Sequence, residues 1–145
     1  MLDLRGKPIA ITGASSGIGH ATAIACAAAG MPVAVAARRA DRLEQLVAQI
    51  TASGGRAIAV RVDVDKPADC QDLVDRTVEA FGSIYSVFAN AGFGIHRPIH
   101  ETSDADMRAI FETNFFGTLN TIRPAMPHIL RAGAGHILVC SSCLA

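Results

Sequence analysis

Apolar and polar positions change period along the chain in a regular order. Lys7–Thr12 is a short apolar run that ends at a glycine-rich turn, and it reads as a buried strand. Residues Gly17–Ala29 are alanine-rich and helix-favouring, with Ile18, Ala21, Ala25 and Ala28 at helical spacing. Gly30 occupies the position of a C-cap glycine, and Val33–Ala37 forms the second strand. After the polar corner Arg38–Ala40, Asp41 lies in the first turn of a second helix, where negative charge is favourable. That helix carries the stripe Leu43, Leu46, Val47, Ile50 and ends at Ser53-Gly54-Gly55. Arg56–Val62 alternates Ala57, Ala59, Arg61 with Ile58, Val60, Val62, as a third strand does.

Pro67 opens a third helix, whose apolar face is Leu73, Val74, Val78 and Phe81 and whose end is Gly82. Ile84–Ala89 is a fourth strand, followed by a loop over Asn90–Thr102. Ser103 with Asp104 and Asp106 signals the start of a long helix, running to about Arg131. Its predicted inward side is Met107, Ile110, Phe111, Phe115, Leu119 and Ile122, with Phe116 off that stripe. Pro124 and Pro127 should bend or interrupt it. A turn at Gly133-Ala134-Gly135 leads to a fifth strand, His136–Cys140. Strand and helix thus alternate throughout, which predicts an α/β fold: a doubly wound parallel sheet with helices on both faces.

Composition narrows the reading. The chain has 145 residues, enough for one domain, and its 13 Lys+Arg balance 13 Asp+Glu. That balance argues against a nucleic-acid partner. Four Cys are too few for a disulfide scaffold. The N-terminus has no apolar run after its charges, so no secretory signal is expected. The uncharged stretch Ala21–Ala37 approaches the length of a membrane span. Its alanine content, Gly30, Pro32 and two different periods oppose that reading, so no membrane partner is expected. The expected location is the reducing cytoplasm.

The turn between the first strand and first helix reads Thr12-Gly13-Ala14-Ser15-Ser16-Gly17-Ile18-Gly19. Glycines there permit a tight turn and let backbone N–H groups approach a pyrophosphate at the helix start. The absence of Gly-Lys-Ser/Thr excludes a nucleotide-triphosphate P-loop. At this point the chain resembles the classical short-chain dehydrogenase/reductase family. Thr12–Gly19 is similar to that family's T-G-x-x-x-G-I-G, and Asn90-Ala91-Gly92 to its N-A-G, with Ala89 in place of the usual preceding Asn. Asp63-Val64 matches the pair used around adenine, Asn114 with Gly117 matches N-x-x-G, and Ser142 of Ser141-Ser142 matches the catalytic serine.

The resemblance covers Leu4 to the end and implies a single dinucleotide-binding Rossmann-type domain over 1–145, truncated after the fifth strand, with strand order 3-2-1-4-5. It implies cofactor contacts from Gly13, Ser15, Ser16, Gly17, Ile18, Gly19, Asp63, Val64, Asn90, Ala91 and Gly92. An acid after the second strand would select NAD; here stand Ala37 and then Arg38 and Arg39. A guanidinium there can clamp a 2′-phosphate, so NADP is expected over NAD.

In the resembled family a Tyr, tuned by a Lys in Tyr-x-x-x-Lys, moves the proton at the substrate oxygen, a Ser binds that oxygen, and a helix Asn keeps a water in the proton relay. Hydride passes between nicotinamide and an alcohol or ketone carbon. Ser142 and Asn114 fill two of these roles. The only Tyr is Tyr85, followed four residues on by Ala89, and the only lysines are Lys7 and Lys66. Family spacing places the Tyr and Lys beyond Ala145. The chain as written is therefore expected to bind cofactor without being a competent dehydrogenase. The alternatives are a non-catalytic dinucleotide-binding or interaction protein, or a cropped or frame-shifted coding sequence.

Other residues offer less. Cys140-Ser141-Ser142-Cys143 has C-x-x-C spacing but follows a strand, whereas a redox pair wants a helix start, so Cys140 is expected in strand core. Cys26 and Cys70 read as small buried groups. The five histidines show no metal-ligand spacing, and no metal is expected. His96 and His100 lie on the loop that the resemblance places by the nicotinamide. The long helix 103–131, with Phe116, offers a surface for a second copy of the chain.

Overall fold

The computed structural model describes residues 3–141. Its strands are β1 (Ile9–Thr12), β2 (Val33–Ala37), β3 (Ala57–Arg61), β4 (Ser86–Ala89) and β5 (His136–Val139). All pair in parallel, in the order β3-β2-β1-β4-β5. Central β1 aligns Ile9 with Val33 on one side and Ser86 on the other. The expected doubly wound sheet and its strand order are therefore observed. Strands β1 and β4 begin two residues later than the apolar runs suggest, because Lys7, Pro8, Ile84 and Tyr85 lead into the sheet without pairing in it.

Strand alternation divides the core into two layers. Ile9, Ile11, Val33 and Val35 face α1 (Gly17–Ala28) and α2 (Ala40–Ala52), where Ala23, Leu43, Leu46 and Ile50 meet them. Ala10, Ala34, Ala36 and Val60 face the other way, toward α3 (Pro67–Phe81) and the long helical region after Ser103. The successive Val-Ala-Val-Ala of β2 is thus a two-faced strand in a sheet covered on both sides. The stripes predicted for α2 and α3 are buried at Leu43, Leu46, Ile50, Leu73 and Val74.

Helix α1 differs from its predicted spacing. Ile18, Ala21, Ala25 and Ala28 are exposed, while Gly19 and Ala23 are buried. Alanine occurs on every side of this helix, so hydrophobicity does not choose a face; close approach to β1 does. The predicted stop at Gly30 is observed. With φ +83°, Gly30 donates its N–H to Ala27 O at 2.9 Å, and Met31 donates to Cys26 O at 3.0 Å, forming a Schellman motif.

The long helix is broken into α4 (Asp104–Phe111), a π-helical turn (Glu112–Phe116), α5 (Gly117–Ile122), a 3-10 turn (Arg123–Ala125) and α6 (Met126–Ala132). Ser103 caps it by accepting from Asp106 N–H at 3.1 Å, and the interruption falls at Pro124 as expected. Its inward face is not the predicted one. Phe111, Phe115 and Phe116 are all about half exposed, and the buried positions are Gly117, Thr121, Ala125 and Ile129. The π turn adds a residue to one turn and shifts the phase. Small side chains then let this segment lie close against α3 and β4, where phenylalanine would not fit.

The fifth strand also differs. It ends at Val139, and its four residues are exposed, as is Cys140, which was expected in the core. Strand β5 is the edge beside β4 and neither of its faces is covered among the described residues. No helix among the described residues is long and apolar enough to cross a membrane.

Candidate functional site

A cleft of about 300 Å³ opens where the C-terminal ends of β1, β2, β3 and β4 meet the starts of the following segments. Order β2-β1-β4 makes β1 the point at which the winding direction reverses, and open α/β sheets bind ligands in the crevice there. Three sequence segments separated by long stretches of chain converge on it: Gly13, Ser15 and Ser16 after β1, Arg38 and Arg39 after β2, and Asn90, Ala91 and Gly92 after β4. Asp63 and Val64, after β3, complete the expected set along its wall.

Thr12 joins two of these segments. Its buried Oγ1 accepts from the N–H groups of Asn90 (3.1 Å) and Ala91 (3.3 Å) and donates to Phe88 O (3.4 Å). Asn90 Nδ2 donates in turn to Thr12 O at 3.1 Å. The glycines fit around this junction. Gly13 has φ +68°, and a Cβ there would stand 2.8 Å from Asn90 Nδ2. A Cβ on Gly19 would stand 2.6 Å from both that nitrogen and Gly13 O. Gly19 is therefore a packing residue under the turn. Gly17 and Ile18 belong to the first turn of α1, outside the cleft lining, and Ile18 is exposed.

Helix α1 starts without a side-chain cap. Ser16 is its N-cap residue, yet its hydroxyl does not accept from the helix. Instead Arg39 Nη2 donates to Ser15 Oγ at 2.9 Å and Ser16 Oγ at 3.1 Å. A guanidinium, two hydroxyls and a helix start without a side-chain cap thus gather at one edge of the cleft. This is a donor-rich setting, suited to phosphate oxygens. The residues present fit a phosphorylated dinucleotide. Arg39 meets no acidic partner within ion-pairing distance among the described residues.

On the far wall, Asp63 N–H donates to Asp69 Oδ2 at 2.9 Å, and Asp65 accepts from Thr113 Oγ1 at 2.8 Å. Val64 O accepts from Asn120 Nδ2 at 3.0 Å. Gly117 packs on the Val64 side chain so closely that a Cβ would lie 2.7 Å from Val64 Cγ2. The pair Asp63-Val64 and the pattern Asn114-x-x-Gly117 are consequently two sides of one contact. Beneath it, burial pushes the Cys70 thiol up to about 11; the Thr121 hydrogen bond opposes this, and the carboxylates of Asp69, Asp63 and Asp65 add to it.

Asn114 stands in the π-helical turn, and its carboxamide is fully engaged with one backbone unit. Oδ1 accepts from Phe93 N–H at 3.0 Å, and Nδ2 donates to Phe93 O at 2.8 Å. Ser142, with Cys143, lies outside the described residues. His96 and His100 are exposed and do not line the cleft, and His100 faces Glu101 at 3.6 Å. Tyr85 sits at the opposite end of the sheet, where Lys7 Nζ lies 4.5 Å above its ring. Sequence reasoning missed Thr12, Phe93, Thr113 and Asn120 as site residues. Thr12 and Asn120 act through backbone groups, which leave no spacing signal. Among the described residues no group of three or more His, Cys, Asp or Glu side chains is placed to hold a metal.

Comparisons with known proteins agree with this architecture. A family profile described as short chain dehydrogenase matches residues 7–145. An uncharacterised oxidoreductase of Listeria innocua is 38% identical over 141 residues, covering 97% of this chain and 57% of that protein. The 11-beta-hydroxysteroid dehydrogenase A of Arachis hypogaea is 42% identical over 142 residues, covering 97% of this chain and 40% of that one. The crystal structure of a short chain dehydrogenase/reductase from Burkholderia phymatum in complex with NAD superposes with a TM-score of 0.93 at 36% identity, over 98% of this chain and 51% of that chain. The chain spans about half the length of the relatives it matches.

Proposed function

Because this chain belongs to the short-chain dehydrogenase family, whose members are oxidoreductases, we propose that its cleft binds NADP(H) in preference to NAD(H). The observation that carries this reading is Arg39, held by Ser15 and Ser16 where a carboxylate would otherwise meet the ribose 2′-OH. A 2′-phosphate at this corner gains a charge-assisted bond that the 2′-OH of NAD does not. Arg38, beside it on the cleft wall, supplies a second cation. The pyrophosphate is assigned to the start of α1, and adenine to the wall of Asp63 and Val64. Asn90, Ala91 and Gly92 lie toward the nicotinamide half. When bound, the cofactor supplies hydride exchange with carbon.

The substrate class is that of alcohols and ketones, in keeping with the hydroxysteroid dehydrogenase among the relatives. Ser142 is the group assigned to the substrate oxygen. Asn114 takes the helix-Asn position of the family pattern, and its carboxamide holds the loop after β4 in place. The long helix 103–131, with its exposed Phe116, is the surface proposed for a second copy of the chain.

The test is a pair of binding titrations. NADPH should bind more tightly than NADH, and Arg39→Ala should weaken NADPH by about 10- to 100-fold while leaving NADH nearly unchanged. Tighter binding of NADH by the unaltered protein would refute the cofactor assignment.

A further inference from the structure

Phe93 differs in kind from the other residues around the cleft. Their side chains are small, polar or aliphatic, and Phe93 brings the one aromatic ring among the described lining residues. That ring is 41% exposed. An apolar ring on a loop loses little by moving, yet this one sits on a backbone fixed at both polar atoms. Asn114 accepts from its N–H and donates to its C=O, at 3.0 and 2.8 Å. The clip comes from the π-helical turn Glu112–Phe116, an unusual helical geometry that recurs at functional sites. Gly92 fits the same arrangement, since a Cβ there would lie 3.0 Å from Asn114 Oδ1.

Topology says which part of a ligand passes this ring. Arg38–Arg39 and Asp63–Val64 follow β2 and β3, on one side of β1. Phe93 follows β4, on the other side. A dinucleotide with its pyrophosphate at the start of α1 and its adenosine over β2 and β3 must carry its second half toward β4. We infer that the Phe93 ring is a fixed apolar contact for the nicotinamide-riboside half of the cofactor, and that Asn114 is the positioning residue that holds it there. The pair lets the cleft distinguish a complete dinucleotide from its adenosine half. This rests on the reading of the cleft as a dinucleotide site.

The experiment compares whole and half ligands. NADPH and 2′,5′-ADP are titrated into the purified protein, with NADH and 5′-AMP alongside so that cofactor preference does not affect the outcome. In Phe93→Ala, the affinity for whichever dinucleotide binds should fall about tenfold, and that for its adenosine half should stay within about twofold. Phe93→Tyr, which keeps the ring, should restore dinucleotide binding. Asn114→Ala should show the same selective loss, and the double variant should lose no more than either alone, because both act through one ring. Unchanged dinucleotide affinity in Phe93→Ala, or an equal loss of both ligands, would overturn the inference while leaving the cofactor reading intact. An unaltered protein that binds none of the four ligands overturns both.

Discussion

Thr12 is one hydroxyl serving three backbone groups, and removing it has a calculable effect. Thr12→Val keeps the shape but leaves the Asn90 and Ala91 N–H groups without their acceptor, so we expect a loss of about 1–3 kcal/mol, seen as a lower denaturant midpoint. Thr12→Ser should recover most of it. The motif around Thr12 was legible in the sequence, and so was Asn90-Ala91-Gly92. That they form one junction was not, because hydrogen bonds to backbone carry no residue signature. Gly117 teaches the same lesson. Gly117→Ala should destabilise by about 1–3 kcal/mol through overpacking on Val64, and adding Val64→Ala should relieve part of that cost in a double-mutant cycle. Cys70 supplies a pH dependence. Its thiol titrates near 11 when folded, against an ordinary value of 9.0, so above pH 9 the unfolded chain releases a proton that the folded one keeps. Stability should therefore decline as pH rises from about 9 to about 11, and Cys70→Ala should flatten that part of the profile in denaturation curves.

Helices were legible where their faces differ in hydrophobicity, and illegible where they do not. Leu43, Leu46 and Ile50 mark the buried side of α2 by size alone, and Leu73 and Val74 do so for α3. Helix α1 has alanine all round, and its buried side is set by how near Gly19 can come to Gly13. In the long helix the large residues mislead. Phe111 and Phe115 are exposed because one π turn rephases the segment, and nothing in the apolar spacing announces such a turn. Its start is a clearer signal: Ser103 caps it through Asp106 N–H. Ser103→Ala should cost about 1 kcal/mol, read from a thermal melt, and Ser103→Asp should cost much less.

The alternation of strand and helix made the doubly wound sheet readable from residue pattern alone, and the order β3-β2-β1-β4-β5 followed from the family resemblance. The exposure of β5 was the poorest match to pattern, since Ile137, Leu138 and Val139 read as core yet are 40–50% exposed at an unpaired edge. An apolar strand edge of this kind recruits other strands. The 145-residue chain on its own should scatter light increasingly with concentration, and Leu138→Lys should reduce that scattering. The place of β1 in the sheet also bears on how the protein is made. Strands β1, β2 and β3 are sequential neighbours, whereas Asn90 meets Thr12 across 78 residues of chain. Closing that loop carries the larger entropic cost, so β4 should dock after β1–β3 have assembled. The cleft has one wall on each side of this seam and exists only once it shuts. In refolding followed by pulsed hydrogen exchange, amides of β1 and β2 should gain protection first, and cofactor fluorescence should rise only with protection of β4. A bound dinucleotide would then report the final step of folding.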